Sequence, residues 1–194
     1  MIDPRDVTNF NRTNAELEEF IIFCCLVHGK TAAIQAQKLN NFLLKATDIY
    51  GDLSPFRLVW WLTKEGRLLE LLSEAGIGQY KKLVPCLERL SSSGLNLKTC
   101  TTSDLEAIHG IGPKTARYFL MHSRPNQKIA TLDRHILSWL RERGYEKAPA
   151  STPSKAHYSY WENIFLKEAE KLGKSPELLD LEIWKNKSSR LQHS

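Results

Sequence analysis

Two short stretches decide how this chain is read: Leu105-Glu-Ala-Ile-His-Gly-Ile-Gly-Pro-Lys-Thr-Ala-Arg117, and Thr131-Leu-Asp-Arg-His-Ile136 behind it. The first reads as a short helix, a tight Gly-Ile-Gly turn and a second helix with a lysine in its first turn. The aspartate of the second stretch follows that lysine at 133 − 114 = 19 residues. Ser103-Asp-Leu-Glu106 fits a capping box, which starts the short helix at Ser103. Leu105 and Ile108 lie three apart and share a face. Ile111 can plug the angle between the helices, because the glycines beside it tolerate positive φ and close approach. Pro113 suits a first helical position, where a missing N–H costs nothing.

In such a turn the amides of Gly110 and Gly112 and the start of the second helix point outward together, which favours an anion. For a basic chain the expected anion is a nucleic-acid phosphate, with Gly110, Ile111, Gly112 and Thr115 as its contacts. Gly-x-Gly taken by itself is equally an ordinary turn between helices. The plug residues, the proline and the adjacent lysine favour the phosphate reading.

The pattern Leu-x-x-Ile-x-Gly-Ile-Gly-x-Lys-Thr-Ala, then an aspartate about twenty residues on in a Leu-Asp-x-His context, resembles the helix-hairpin-helix DNA glycosylase superfamily. That group includes endonuclease III and the 8-oxoguanine DNA glycosylases. The resemblance is sharp from Leu105 to His135 and looser upstream, around Leu26-Val-His-Gly-Lys-Thr-Ala32. It implies that Lys114 attacks the sugar C1′ and forms a Schiff base, as in bifunctional members. It implies that Asp133 stabilises the positive charge that builds on the sugar as the base leaves. Each residue also has a plainer reading, Lys114 as a solvated lysine touching phosphate and Asp133 as a helix N-cap. Capping and catalysis are compatible. A lysine nucleophile must also shed a proton: at an ordinary pKa of about 10.4 only roughly one in a thousand is neutral near pH 7.4, a deficit of about 4 kcal/mol.

The chain departs from the family pattern in two places. Ser138 stands where members often carry an arginine after the aspartate motif, and His135 is read as a structural or phosphate contact. The endonuclease III branch holds an iron–sulfur cluster on four cysteines near the C-terminus. Here the cysteines are Cys24, Cys25, Cys86 and Cys100, with none beyond. The resemblance therefore points to the cluster-free oxoguanine group, and no cofactor or metal is expected. Cys24 and Cys25 lie in the apolar run Phe20–Val27, where a free cysteine behaves as a small hydrophobe.

Lys and Arg number 27 against 22 Asp and Glu, a net charge of +5. That is a modest positive field, which favours a polyanion without proving one. The opening Met-Ile-Asp-Pro-Arg-Asp is unlike a signal peptide, and no apolar run approaches a membrane span of about eighteen residues. A soluble, cytoplasmic or nucleoid-associated monomer without membrane contact is expected, its partner damaged double-stranded DNA.

Apart from the hairpin, the chain reads as helix nearly throughout, so the expected fold is all-α. Thr13-Asn-Ala-Glu16 is a capping box opening an apolar helix that ends at Gly29. Further helices are expected over Ala33–Ile49, Ser54–Leu62, Gly66–Glu74, Tyr80–Leu90, Arg134–Arg143, Tyr158–Leu172 and from Ser175-Pro176 to about Lys185. By resemblance, residues 31–132 form a helical domain carrying the hairpin, and residues 1–30 with 133–194 form a second. An active-site cleft is expected between them.

His28-Gly29-Lys30 has two readings, a helix C-cap at Gly29 or a loop that fills the gap left by an extruded base. For the base itself, Trp184 and Asp180 fall where some cluster-free relatives place C-terminal pocket residues. The expected activity is a glycosylase with AP-lyase action on oxidised bases, 8-oxoguanine first, in base excision repair. The alternatives are oxidised pyrimidines, abasic sites, or a non-catalytic hairpin that only binds DNA. A mere binder has no use for a carboxylate facing a phosphate site, which counts against the last.

Overall fold

Thr13 opens the first helix as its sequence dictates. The Glu16 amide donates to the Thr13 hydroxyl at 3.3 Å, and the Thr13 amide donates to the Glu16 carboxylate at 2.7 Å. The computed structural model describes residues 2–27 and 29–190, for 188–190 the backbone only. Among the described residues there are ten helices and no strand, so the all-α expectation holds. They are α1 (Asn14–Leu26), α2 (Ala32–Tyr50), α3 (Pro55–Lys64), α4 (Leu68–Glu74), α5 (Tyr80–Ser92), α6 (Thr102–Glu106), α7 (Pro113–Ser123), α8 (Arg134–Glu142), α9 (Lys155–Lys171) and α10 (Pro176–Arg190). No helix among them is long and apolar enough to cross a membrane.

By packing, the chain divides into two compact units, residues 1–112 and 113–194. In the first, α1 is apolar on nearly every side and buries Leu17, Phe20, Ile21, Ile22, Phe23 and Leu26. Such a helix must be enclosed by others, and α2, α3 and α5 enclose it. By these contacts α1 groups with its own sequence neighbours, whereas the resemblance groups residues 1–30 with 133–194. Helix α3 lies at the centre of this unit, against α1, α2, α4 and α5, with Leu58, Val59 and Leu62 buried. Pro55 occupies its first turn, as expected. Pro85 sits inside α5, which runs on to Ser92.

In the second unit α8 presents Ile136, Leu137 and Leu140 to a core shared with Tyr158, Phe165 and Ile183. Helix α10 packs against α7, α8 and α9. Two helix starts differ from expectation. Helix α6 is capped by Thr101, whose box partner is Asp104, so its cap lies two residues before the expected Ser103. Aspartate serves the reciprocal role as well as glutamate here, and the upstream box is the one used. Helix α9 starts at Lys155 rather than Tyr158, because its first turn is polar and gives no apolar period.

Glu168 makes this second unit acid-sensitive. The carboxylate is buried and accepts from Lys171 at 2.6 Å, Arg143 at 2.7 Å and the Tyr145 hydroxyl at 2.8 Å. These donors, Lys171 foremost, hold its pKa down to about 2, from 4.5. A depressed carboxylate stabilises the fold wherever the unfolded chain also ionises, above pH 4.5, and loses that effect as pH falls through 2. The stability gap between wild type and Glu168→Gln, measured by urea unfolding, should therefore be larger at pH 7 than at pH 3. A pH-independent gap contradicts this account.

Candidate active site and DNA interface

Helix α6 ends at Glu106, and the chain turns through Ala107–Gly112 before α7 begins at Pro113. The Ile108 amide donates to Leu105 O and the Ile111 amide to Ile108 O, each at 3.0 Å, which winds the turn tightly. Ile111 is buried, as its plug role requires. The two glycines differ. Gly110 has φ +97°, and a Cβ there would lie 2.8 Å from the Cys86 Cβ. Gly112 needs no positive φ, and a Cβ there would meet nothing within 4 Å. Glycine at 110 is thus a requirement of the fold, while glycine at 112 is not.

That contrast gives a test of the phosphate site. Gly110→Ala should cost about 2 kcal/mol or more in thermal unfolding, from strained backbone and the clash with Cys86. Gly112→Ala should change stability by no more than about 0.5 kcal/mol. If a phosphate approaches the Gly112 backbone closely, the added Cβ holds it off and weakens duplex binding by about tenfold, the scale of one lengthened bond to a charged group. An unchanged Kd for Gly112→Ala would remove Gly112 from the interface.

In the second unit, Lys114 stands half-buried in the first turn of α7, followed by Thr115, also half-buried. Asp133 is the N-cap of α8 and accepts from the amides of His135 at 2.8 Å and Ile136 at 2.9 Å. Both bonds fall on Oδ1, so capping does not occupy Oδ2. The carboxylate is therefore held by one oxygen and able to act through the other.

The electrostatics place the two residues in one neighbourhood. Burial pushes the His135 imidazole down from its usual range, Asp133 opposing this and Arg134, Lys114 and Lys187 adding to it. Burial pushes the Asp180 carboxyl up, His122 opposing, with Asp133 and Lys114 also acting on it. Lys114 and Asp133 thus lie close enough to influence the same two side chains. His135 favours its neutral form, which suits hydrogen bonding better than ion pairing with a phosphate.

Asp180 is buried on α10, 3.3 Å from His122 Nε2 on α7. Trp184 follows one turn later, half-buried. Upstream, Gly29 is exposed with φ +66° and Lys30 is exposed. His28 lies outside the described residues. Cys24, Cys86 and Cys100 are buried and Cys25 half-buried, all four as free thiols.

Three residues that sequence reasoning passed over support this site. Ala130, Thr131 and Leu132, leading into Asp133, form a buried segment outside any helix. Buried backbone of that kind needs partners. Glu162 Oε1 accepts the Ala130 amide at 2.9 Å, and the Tyr158 hydroxyl donates to Ala130 O and accepts from the Leu132 amide, both at 2.9 Å. Arg117 Nε in turn donates to Glu162 Oε1 at 2.7 Å. The available signal was a glutamate within the apolar stripe Tyr158, Trp161, Phe165, since a charge on a core-facing stripe needs a partner.

The helical hairpin, the lysine that opens its second helix and the helix-capping aspartate define a helix-hairpin-helix protein. The chain belongs to the 8-oxoguanine DNA glycosylase family, whose model matches residues 4–174. Among curated relatives, an 8-oxoguanine DNA glycosylase/AP lyase of Thermoplasma volcanium is 39% identical over 80 residues, 41% of this chain and 37% of that protein. One from a Thermotoga species is 37% identical over 75 residues, 39% of this chain and 36% of that protein. These alignments thus span little more than a third of each relative. Among solved structures, the Methanocaldococcus jannaschii 8-oxoguanine glycosylase/lyase in complex with a 15mer DNA containing 8-oxoguanine has a TM-score of 0.64 and 26% identity. That match covers 92% of this chain and 84% of the other. A second structure of the glycosylase from that organism, at 24% identity, has a TM-score of 0.67, a likeness of fold.

Proposed function

We propose that this protein is a bifunctional DNA glycosylase/AP lyase that removes oxidised bases, 8-oxoguanine first, from duplex DNA in base excision repair. The observation that carries this reading is that Lys114 in the first turn of α7 and the α8-capping Asp133 lie in one compact unit and both act on His135 and Asp180. The T. volcanium and Thermotoga relatives, both 8-oxoguanine DNA glycosylase/AP lyases, support it.

The chemistry follows from the two groups. Neutral Lys114 Nζ attacks C1′ of the target nucleotide, and the glycosidic bond breaks with its electron pair leaving on the base, which takes up a proton. The Asp133 carboxylate stabilises the positive charge that builds on the sugar. Loss of the amine proton and opening of the ring give the imine. Loss of a C2′ proton then expels the 3′ phosphate and nicks the strand.

Gly110, Ile111, Gly112 and Thr115 make the phosphate contacts in this reading, with His135 as a neutral hydrogen-bond partner. His28, Gly29 and Lys30 enter the duplex where the nucleotide leaves the stack. Trp184 stacks on the base. Asp180, 3.3 Å from His122 Nε2, lines the base pocket with it in this reading and accepts from a purine edge. The assignment of residues 31–132 to one domain and of 1–30 with 133–194 to the other belongs to this proposal, as do a cytoplasmic, nucleoid-associated location and action as a monomer.

The test is incubation with duplexes carrying 8-oxoguanine, an oxidised pyrimidine or an abasic site. Free 8-oxoguanine and a nicked strand are expected from the first. Processing of the pyrimidine or abasic duplex alone overturns the substrate. Tight binding with no product from any duplex leaves a DNA-binding module.

A further inference from the structure

We propose that Arg117 and Glu162 are positioning residues for the Lys114/Asp133 reaction, a largely buried ion pair that ties the nucleophile's helix turn to the aspartate's approach segment. The proposal rests on the functional reading above. Arg117 is one turn beyond Lys114 on α7, and its Nη1 donates to Pro113 O at 3.3 Å, in the turn that holds Lys114. Its Nε donates to Glu162 Oε1 on α9, and that same oxygen accepts the Ala130 amide. The Arg117 guanidinium also lies 4.4 Å from the centre of the Tyr158 ring. Tyr158 holds both ends of Ala130–Leu132 through its hydroxyl, and Thr152 Oγ1 donates to Leu132 O at 3.0 Å. The next residue is Asp133, whose own amide donates to Thr131 O at 2.8 Å.

A neutral acceptor on α9 would satisfy the Ala130 amide. A carboxylate there, with side-chain exposures of 12% for Arg117 and 11% for Glu162, carries a desolvation cost that apolar packing avoids. What the ion pair adds is one rigid joint between two segments that no shared helix connects. Tyr158 holds the aspartate's segment and meets α7 through the Arg117 guanidinium, so loss of Glu162 removes the acceptor that the Ala130 amide and Arg117 share and loosens the joint. Displacement of a reacting group by about 1 Å costs on the order of 100-fold in rate.

The experiment measures single-turnover imine formation on an 8-oxoguanine duplex, by borohydride trapping, alongside duplex Kd and thermal unfolding. The variants are Glu162→Ala, Glu162→Gln, Arg117→Met and Glu162→Ala with Arg117→Met. Phe165→Leu, a core change in the same helix, controls for lost stability. Glu162→Ala is expected to slow trapping by about 100-fold with Kd changed by less than about threefold. Glu162→Gln, which keeps an acceptor for Ala130 and Arg117, should recover to within about tenfold of wild type. The double variant should be no slower than the slower single, since both substitutions break one joint.

Phe165→Leu, assayed where it is folded, should keep the wild-type rate. A Glu162→Ala rate equal to that of Phe165→Leu at matched stability overturns the proposal, as does rate loss with parallel loss of binding. If Glu162→Ala does not fold, Glu162→Gln and Arg117→Lys decide: each should be slowed severalfold, and wild-type rates in both overturn it. Failure of the wild type to trap on any duplex removes the functional reading itself, a result distinct from wild-type trapping with unaffected variants.

Discussion

Lys114→Gln should abolish covalent trapping on 8-oxoguanine and abasic duplexes, to below about a thousandth of the wild-type yield, because the amide cannot form an imine. Duplex affinity should stay within about threefold, and the dependence of log Kd on log salt should keep its slope. The prediction turns on where Lys114 sits. Lys114 is half-buried in the first turn of α7 and close enough to act on His135 and Asp180, and the proposed reaction uses it as the nucleophile. If Lys114 is only a phosphate anchor, binding and any activity fall together, and the salt slope drops by about one. Measuring trapping yield and salt-dependent Kd on one preparation separates the two.

Asp133→Asn and Asp133→Ala should part company in stability but not in rate. Asparagine is as good an N-cap as aspartate, and its side-chain oxygen can take the His135 and Ile136 amides as Oδ1 does now. Asp133→Asn should therefore unfold within about 0.5 kcal/mol of wild type, while Asp133→Ala loses the cap and about 1 kcal/mol. Both lose the carboxylate charge that the proposed reaction uses, and both should lower single-turnover excision by about 10³-fold, the scale of a removed electrostatic or acid–base group. An Asp133→Asn enzyme with near-normal excision would reduce Asp133 to a cap. Thermal unfolding and single-turnover excision together read both roles.

What the sequence disclosed was local chemistry. Thr13 and Glu16 form their box because both partners lie in one turn, and Pro113 begins α7 for the same reason. The sequence offers two starts for α6, because Thr101–Asp104 and Ser103–Glu106 both satisfy the pattern, and the packed structure uses the first. The first turn of α9 is not legible in the sequence because Lys155, Ala156 and His157 give no apolar period. Lys114 and Asp133 stood out through their motifs, but their support did not. Arg117 meets Glu162 45 residues away, and Glu162 meets Ala130 across 32. Such pairings come from how α7 and α9 pack, and no spacing rule reveals them. The two hairpin glycines looked alike in sequence, and only the neighbouring Cys86 distinguishes Gly110 from Gly112.

The most direct measurement is the site of attachment itself. Wild-type protein, trapped with borohydride on an 8-oxoguanine duplex, would be digested and the DNA-linked peptide sequenced by mass spectrometry. The adduct should lie on the ε-amine of Lys114. An adduct on Lys30, Lys128 or any other amine, or release of 8-oxoguanine with no adduct, would contradict the assignment of Lys114 as the nucleophile.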